Sequence, residues 1–259
     1  MIIMIKKIKN KGRLLVIIVL VSLLFIPTSS YAYKKNKEFS YGTLSKFEGK
    51  RNLRELDDIE DKKIVMFTFD DGPSEEFTNI LIDELKKRDA KVTFFMMGNK
   101  IERYPDIVKK AYKNGHSISN HSYSHKDLRK LKNSTILYEI NKTNELLEQL
   151  GIENKYFRPP YGFSNNKVFN ASEMSFIFWS VDPMDWKYKN AERIYKKIID
   201  EVEDGSVVIA HDIYKTSIEG VLMAIDKLLE EDYVLISLEE AEDLGYLNSD
   251  EKKEYHKLK

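Results

Sequence analysis

The sequence predicts an α/β protein built from repeated βα units around a largely parallel sheet. From Lys63 onward, short apolar runs rich in β-branched and aromatic residues alternate with amphipathic segments, as is typical of such sheets. About seven strands are expected, and this number suits a barrel better than an open sheet. Unusual polar residues also cluster just past the expected strand ends, where β/α barrels build their active sites.

The expected elements alternate along the chain. Strands are predicted at Ile64–Phe69, Lys91–Met97, Ser117–Asn120, Tyr156–Arg158, Phe176–Val181, Ser206–Ala210 and Tyr233–Ser237. Helices are predicted at Glu75–Arg88, Lys100–Asn114, Ser134–Leu150, Ala191–Glu203 and Ile218–Glu231. The polar residues past the strand ends are Asp70, Asp71, His121, His125, Arg158, Asp182, Asp185 and His211.

The first 32 residues have the three parts of a secretory signal. A basic start is followed by an apolar stretch of 13 residues from Leu14 to Ile26 and by a small-residue site at Ser30-Tyr31-Ala32. We expect cleavage after Ala32 and an exported protein that works outside the cell or at the cell wall. An uncleaved membrane anchor is the alternative, although the stretch is shorter than the roughly 20 residues that span a bilayer.

The net charge and the cysteine content of the chain bear on which partners and which metal ligands it can have. The whole chain has zero net charge, but without the five basic residues of the signal it carries 37 basic and 42 acidic residues, a net charge of −5. This balance argues against a nucleic-acid partner, which would require a basic face. Because the chain has no cysteine, a metal ion would have to be bound by histidines and carboxylates.

Asp70 and Asp71 stand together in Thr68-Phe69-Asp70-Asp71-Gly72-Pro73, at the end of the first expected strand. Adjacent carboxylates repel each other unless a cation or a shared proton settles their charge. A solvated turn is the alternative, because turns use the same residue types. The remaining polar clusters favour a site.

His121 and His125 are spaced to place both imidazoles on one side of a single helical turn, where they can share a metal ion. Such a pair also arises by chance on many surfaces. A carboxylate from another strand end, Asp70 or Asp71, would complete a set of two histidines and one carboxylate with open coordination positions. Sets of this kind usually serve catalysis.

Two further segments carry candidate chemistry. His211 ends the run Val207-Val208-Ile209-Ala210, and an aspartate of the preceding loop is available to orient it. A buried structural histidine is the alternative. Arg158 opens Arg158-Pro159-Pro160-Tyr161-Gly162, in which two prolines stiffen the turn and fix the direction of the guanidinium. A surface arginine is the alternative there.

Together with Trp179-Ser180-Val181-Asp182-Pro183-Met184-Asp185-Trp186, which follows an expected aromatic strand, these segments in chain order resemble the five motifs of the polysaccharide deacetylases, the carbohydrate esterase family 4 or NodB-type domain, over about residues 62–240. The resemblance implies a distorted (β/α) barrel and metal-dependent hydrolysis of an N-acetyl group on a sugar polymer. Zinc is the usual metal, with cobalt or manganese as alternatives. The expected organisation is a signal at 1–32, a charged spacer at 33–62, the deacetylase domain at 63–245 and a charged tail at 246–259 that ends in solvent.

The resemblance also implies a role for each matching residue. Asp70 would be the general base, tethered by Arg158, and His211 the general acid, tuned by Asp185. The implied metal ligands are Asp71, His121 and His125. The backbone N–H of Tyr161 would donate to the oxyanion that forms during hydrolysis, and Trp186 would form one wall of the pocket for the acetyl group. Ile209 stands where many members have Leu, a volume-conserving change that bears only on the shape of the methyl pocket.

The substrate expected from these features is N-acetylglucosamine in peptidoglycan, because an exported chain meets the cell wall first. Deacetylation of N-acetylmuramic acid is less favoured, since that type tends to carry Arg at the position of Tyr161 and another residue at that of Pro73. Chitooligosaccharides and acetylated xylan are within the family's range. A catalytically silent wall-binding module is a further alternative, which loss of Asp70, His121, His125 or His211 would have favoured.

Overall fold

The computed structural model describes Ile59 and residues 61–259. The expected signal at 1–32 and nearly all of the expected spacer at 33–62 therefore lie outside the described residues. None of the helices in the described part is both long and apolar enough to cross a bilayer.

The described residues form a distorted (β/α) barrel, as the resemblance implied. Its strands are β1 (Ile64–Asp70), β2 (Thr93–Met96), β3 (Ser117–Asn120), β4 (Tyr156–Phe157), β5 (Ser175–Ile177), β6 (Ser206–His211), β7 (Val234–Leu235) and β8 (Glu254–Tyr255). Seven of these lie within the predicted positions or within one residue of them. The eighth comes from the expected tail.

The strands form one parallel sheet in the order β6-β1-β2-β3-β4-β5-β8. β1 pairs with β6 along one edge, while its other edge pairs with β7 near the start and with β2 near the end. The segment after β5 returns to β6, because Val181 pairs with Val208 and its carbonyl accepts the N–H of Ile209 at 3.0 Å. This contact curls the sheet into a barrel.

Side chains of β1 alternate between two environments. Val65, Phe67 and Phe69 pack in the main apolar core together with helix residues, whereas Ile64 and Met66 belong to a second cluster with residues of β2, β5 and β6. Because successive residues of a strand point to opposite faces, Thr68 and Asp70 continue the row of Ile64 and Met66. The β1 sequence therefore delivers Asp70 to the carboxyl end of the barrel interior.

Nine α-helices surround the sheet in the described residues. They are α1 (Phe77–Lys87), α2 (Gly98–Arg103), α3 (Pro105–Lys113), α4 (Asn133–Gln149), α5 (Asn166–Asn170), α6 (Asp185–Tyr188), α7 (Ala191–Glu201), α8 (Lys215–Glu230) and α9 (Leu238–Asp243). Four of the five predicted helices occur with ends shifted by up to three residues.

The helix expected at Lys100–Asn114 is instead two helices, α2 and α3, that meet at Tyr104. Tyr104 has φ −131° and ψ 52°, outside the helical region, and Pro105 begins α3. A proline disfavours helical backbone at the residue before it and suits the first position of a new helix. The break is therefore a consequence of Pro105.

The strand expected at Phe176–Val181 is also shorter than predicted. β5 ends at Ile177, and beyond it only Val181 forms a further bridge. The Phe178 carbonyl accepts a hydrogen bond from Arg158 at 2.8 Å. A guanidinium therefore takes an acceptor that a longer strand would have used in the ladder.

The charged tail does not end in solvent, so that expectation is wrong for this segment. Glu254–Tyr255 forms β8 on the edge of β5, and the N–H of Leu258 donates to the Gly205 carbonyl at 2.9 Å. Leu247 and Leu258 are buried in the cluster that holds Ile64 and Met66. The tail docks because its two leucines add apolar area to the core and its backbone covers an exposed strand edge.

Candidate active site

A cavity of about 470 Å³ opens at the carboxyl ends of the strands. It is lined by eight residues proposed from the sequence, namely Asp70, Asp71, His121, His125, Tyr161, Trp186, Ile209 and His211. Its other lining residues are Gly162, Phe163, Trp179 and Asp182. The two remaining predicted residues, Arg158 and Asp185, are fully buried outside the cavity lining. Arg158 binds Asp70, and Asp185 binds His211.

Asp71, His121 and His125 form a group whose candidate ligand atoms all lie within 4.8 Å of one another. Asp71 Oδ1 is 3.1 Å from His125 Nε2 and 3.6 Å from His121 Nε2. This oxygen is buried and makes no hydrogen bond within the part of the chain that the structure describes. Two imidazole nitrogens and one orphaned carboxylate oxygen fit a divalent metal such as zinc.

The two histidines reach this arrangement through a loop and not through the expected helical turn. Ser122 and His125 both have left-handed backbone, with φ 65° and 56°. The Ser122 N–H donates to Asn120 Oδ1 at 2.8 Å, and the His125 N–H donates to Ser122 Oγ at 3.1 Å. Local side-chain acceptors of this kind compete with helix formation, which explains why the predicted turn is absent.

His121 is held in the tautomer that a metal ligand needs. Its Nδ1 lies 2.8 Å from the Arg158 carbonyl, which can only accept, so Nδ1 carries the proton and Nε2 is left with its lone pair. Burial lowers the pKa of His121 to about 3. The imidazole is therefore neutral at physiological pH, as metal ligation requires.

Asp70 is tied to Arg158 in the barrel interior. Arg158 Nη1 donates to Asp70 Oδ1 at 2.7 Å, while Asp70 Oδ2 accepts no hydrogen bond from the described residues and lies 3.7 Å from His121 Nε2. Burial raises the pKa of Asp70, and the adjacent Arg158 charge acts in the opposite direction. One oxygen of Asp70 is thus anchored and the other faces the histidine group.

The Arg158 guanidinium makes four hydrogen bonds. Besides the bond to Asp70, it donates to Thr68 Oγ1 and to the carbonyls of Ile177 and Phe178 at 2.7–2.8 Å. Its carbon also lies 4.1 Å from the centre of the Phe95 ring. A planar guanidinium held on this many sides fixes the position of the carboxylate that it binds.

His211 pairs with Asp185 on the other side of the cavity. His211 Nδ1 is 2.8 Å from Asp185 Oδ1, and Asp185 Oδ2 accepts from the His211 N–H and from Ser217 Oγ. Burial alone would lower the pKa of His211, but the hydrogen bond and charge of Asp185 raise it to about 9. His211 is therefore protonated at neutral pH and can donate a proton.

Aromatic side chains shape the cavity mouth. Trp186 is 50% exposed and Tyr161 is 56% exposed. The Tyr161 ring packs edge-on against His125, with centroids 4.5 Å apart, and its backbone is left-handed at φ 63°. Ile209 is buried and adds an apolar wall.

Sequence reasoning missed residues that act through the predicted ones. Thr68 accepts from Arg158 and donates to the Val208 carbonyl at 2.8 Å, and Ser217 holds Asp185 at 2.6 Å. Thr68 shares the barrel-facing row of Asp70, so strand alternation could have suggested it. The cavity residue Trp179 opens the segment that carries Asp185, but the sequence did not assign it a role. Ser217 depends on a contact between distant segments, for which the sequence carries no local signal.

Comparison with known proteins places this geometry in a family. The family model for polysaccharide deacetylase matches residues 57–175. The chain is 35% identical over 184 residues to the peptidoglycan-N-acetylmuramic acid deacetylase PdaC of Bacillus subtilis, and 36% identical over 179 residues to the peptidoglycan-N-acetylglucosamine deacetylase PgdA of Listeria monocytogenes. These alignments cover 71% and 69% of this chain but only 39% and 38% of the relatives' own length.

Solved structures agree with the sequence relatives. The structure of Bacillus subtilis PdaC matches with a TM-score of 0.69 at 34% identity, covering 71% of this chain and 92% of that one. A family 4 acetyl xylan esterase from Clostridium thermocellum, solved with a cobalt ion, matches with a TM-score of 0.71 at 28% identity, covering 75% and 98%. By sequence and by fold, the chain belongs to the polysaccharide deacetylase family.

Proposed function

We propose that this chain is a metal-dependent hydrolase that removes N-acetyl groups from N-acetylglucosamine residues of a cell-wall polysaccharide, peptidoglycan. One observation carries the proposal: a carboxylate anchored by Arg158 and a protonated histidine oriented by Asp185 flank an Asp/His/His group in a single cavity. A base, an acid and a metal group together provide what amide hydrolysis needs.

The metal would be held by Asp71, His121 and His125, and zinc fits this donor set best. When bound, a divalent cation supplies Lewis acidity, which lowers the pKa of a water molecule and polarises the amide carbonyl. Cobalt and manganese are alternatives, and the cobalt-containing structure of the Clostridium thermocellum relative supports the first of these.

Asp70 serves as the general base in this proposal. Its Oδ1 is fixed by Arg158, so the free Oδ2 points toward the group that would hold the metal, 3.7 Å from His121 Nε2. From this position Oδ2 would accept the proton of a water molecule that attacks the acetyl carbonyl. General-base assistance of this kind contributes on the order of 100- to 10,000-fold in rate.

His211 serves as the general acid. Asp185 accepts from Nδ1, so the opposite nitrogen, Nε2, carries the second proton of the charged ring and is available to the leaving group. Donation of this proton to the sugar nitrogen completes cleavage of the C–N bond and releases an amine and acetate. The raised pKa of His211 keeps the acid charged before the reaction.

The walls of the cavity account for acetyl binding. Ile209 and Trp186 line it and offer apolar surface to the methyl group. Tyr161 would present its backbone N–H to the developing oxyanion. In this proposal Asp185 positions the acid, His211, and Arg158 positions the base, Asp70.

The substrate assignment rests on chemistry and on relatives. By their names, PdaC acts on N-acetylmuramic acid of peptidoglycan and PgdA acts on N-acetylglucosamine. Tyr161 favours N-acetylglucosamine as the substrate of this chain. Chitooligosaccharides and the O-acetyl groups of xylan are the alternative substrates, because they need the same catalytic residues. A silent wall-binding module is disfavoured, since every residue of the proposed machinery is present. The expected signal at 1–32 supports action outside the cell.

Acetate release by the metal-loaded protein from purified peptidoglycan, chitin oligomers and acetylxylan tests this function. We expect release from peptidoglycan, with free amines appearing on glucosamine and not on muramic acid. Release from acetylxylan alone would replace the proposal with an O-deacetylase. No release from any of the three would favour the silent module.

A further inference from the structure

We propose that Asp212 is a positioning residue that holds the turn carrying Asp70 and Asp71 against the end of β6. The inference deepens the proposed function, since it concerns the placement of that site's own carboxylates. Asp212 directly follows His211, yet it does not line the cavity. It is fully buried on the far side of the turn.

The Asp212 side chain contacts both ends of this turn. Its Oδ2 accepts a hydrogen bond of 2.5 Å from Thr78 Oγ1 at the start of α1. A Cβ at Gly72 would lie only 2.4 and 2.5 Å from the two Asp212 oxygens. The backbone of Gly72 is therefore seated directly on the carboxylate, and any side chain at position 72 would displace one from the other.

Backbone contacts reinforce the same junction. Ser74 Oγ donates to the Asp212 carbonyl at 2.9 Å, and the Ser74 N–H donates to Thr78 Oγ1 at 2.7 Å. The turn and the first residues of α1 are thus tied to Asp212 through its main chain and its side chain. These ties connect the end of β6, which carries His211, to the end of β1, which carries Asp70.

The opposite side of the turn is held by the start of α2. Lys100 Nζ donates to the Asp71 carbonyl at 2.6 Å, and the Met97 N–H donates to the Gly72 carbonyl at 2.9 Å. Asp212 therefore contacts one side of the turn, and these two donors bind its other side. Asp71 has φ 71°, an uncommon backbone angle for a residue with a side chain, and the contacts on both sides explain how this angle is maintained.

Burial of the Asp212 carboxylate is costly for the fold. Its Oδ1 has no hydrogen-bond partner among the described residues, and an unpaired buried polar oxygen destabilises a protein. A hydrophobic residue of similar size would fill the space more cheaply if packing alone were needed. The hydrogen bond from Thr78 supplies the reason for a polar acceptor at this position.

The test compares Asp212→Ala with Asp212→Asn, and uses Val221→Ala in the buried face of α8 as the stability control. Zinc affinity is measured by competition with a chromophoric chelator on protein shown to be folded by circular dichroism. Loss of an outer-shell contact typically weakens metal binding by about 10- to 100-fold, and we expect this for Asp212→Ala. Asp212→Asn keeps the volume and an acceptor for Thr78, so most of the affinity returns. Val221→Ala binds zinc like the unmodified protein.

Hydrogen exchange supplies a readout that needs neither metal nor substrate. The peptide that contains the turn should exchange faster in Asp212→Ala than in Val221→Ala at equal global stability. Unchanged exchange together with unchanged zinc affinity in Asp212→Ala would overturn the proposal, as would an Asn variant as weak as the Ala variant. If the unmodified protein releases no acetate, the proposed function fails while these measurements still decide the role of Asp212.

Discussion

Asp70 and His211 are register partners on the neighbouring parallel strands β1 and β6. Both therefore reach the same end of the barrel, and both line the same cavity. The relative placement of the proposed base and acid is therefore set by the hydrogen-bond ladder between two neighbouring strands and not by a loop. Reaction geometry built on strands in this way is more rigid than geometry built on loops.

Removing the charge of Asp185 should change the pH dependence of the reaction. The pKa of His211 is raised to about 9 by Asp185, so the proposed general acid should stay protonated, and acetate release should persist, up to about that pH. In Asp185→Asn the raising interaction is lost, so the alkaline limb of kcat/KM should move to lower pH. We also expect a rate loss on the order of 100-fold or more at neutral pH.

Ser217→Ala is the matched comparison for this prediction. It removes one hydrogen bond to Asp185 but leaves the carboxylate charge beside His211. Its alkaline limb should stay near that of the unmodified enzyme. An alkaline limb that does not move in Asp185→Asn would show that another group is the acid.

The buried pair of Arg158 and Asp70 should couple strongly in stability. Arg158→Met leaves the Asp70 carboxylate buried without its partner, and breaking such a pair costs about 3–5 kcal/mol of unfolding free energy. In the Asp70→Asn background the same change should cost much less, because no buried charge is left unpaired. Urea unfolding of the four proteins measures the coupling, and equal costs in both backgrounds would refute it.

Substitution of His125 should weaken metal binding without unfolding the barrel. His125→Ala removes one of the three proposed ligands, so zinc affinity should fall by more than the roughly 10- to 100-fold typical of outer-shell changes. His256→Ala is the control, because His256 stacks on Phe178 outside the ligand group. Metal analysis after equilibrium dialysis gives the answer, and zinc binding as tight as in the control would remove His125 from the site.

Docking of the tail should contribute to stability. Leu258→Ala removes apolar contacts from the cluster that contains Ile64 and Met66, and buried Leu→Ala changes cost about 2–5 kcal/mol. Lys253 lies on the same segment and forms an exposed ion pair with Glu251, so Lys253→Ala should leave the unfolding midpoint unchanged. Equal midpoints for both variants would mean that the tail is not part of the folded core.

Local sequence signals predicted much of this structure, and the failures have physical causes. The strand ends that carry Asp70, His121, Arg158 and His211 follow from apolar runs that stop at polar residues. The sequence did not predict that Leu258 packs against the core. The tail is rich in charged residues, and the residues that its two leucines contact are far away in the chain. The loop at His121 and His125 was missed because serine and asparagine side chains compete with the helix.

The positions behind the site were the hardest to predict. Thr68 and Ser217 act by holding Arg158 and Asp185, and each contact joins segments that are distant in the chain. Asp212 stands beside His211 in the sequence, but its burial against Gly72 is visible only in the fold. The sequence identifies the groups that can do chemistry, whereas tertiary packing determines which residues orient them.

Acetate release by metal-depleted protein, before and after addition of zinc, tests the central claim most directly. The account predicts that chelator-treated protein is inactive on peptidoglycan, that zinc restores acetate release, and that zinc-loaded Asp70→Asn binds the metal but stays inactive. Acetate release that persists in protein shown to be metal-free, or full activity of Asp70→Asn, would contradict it.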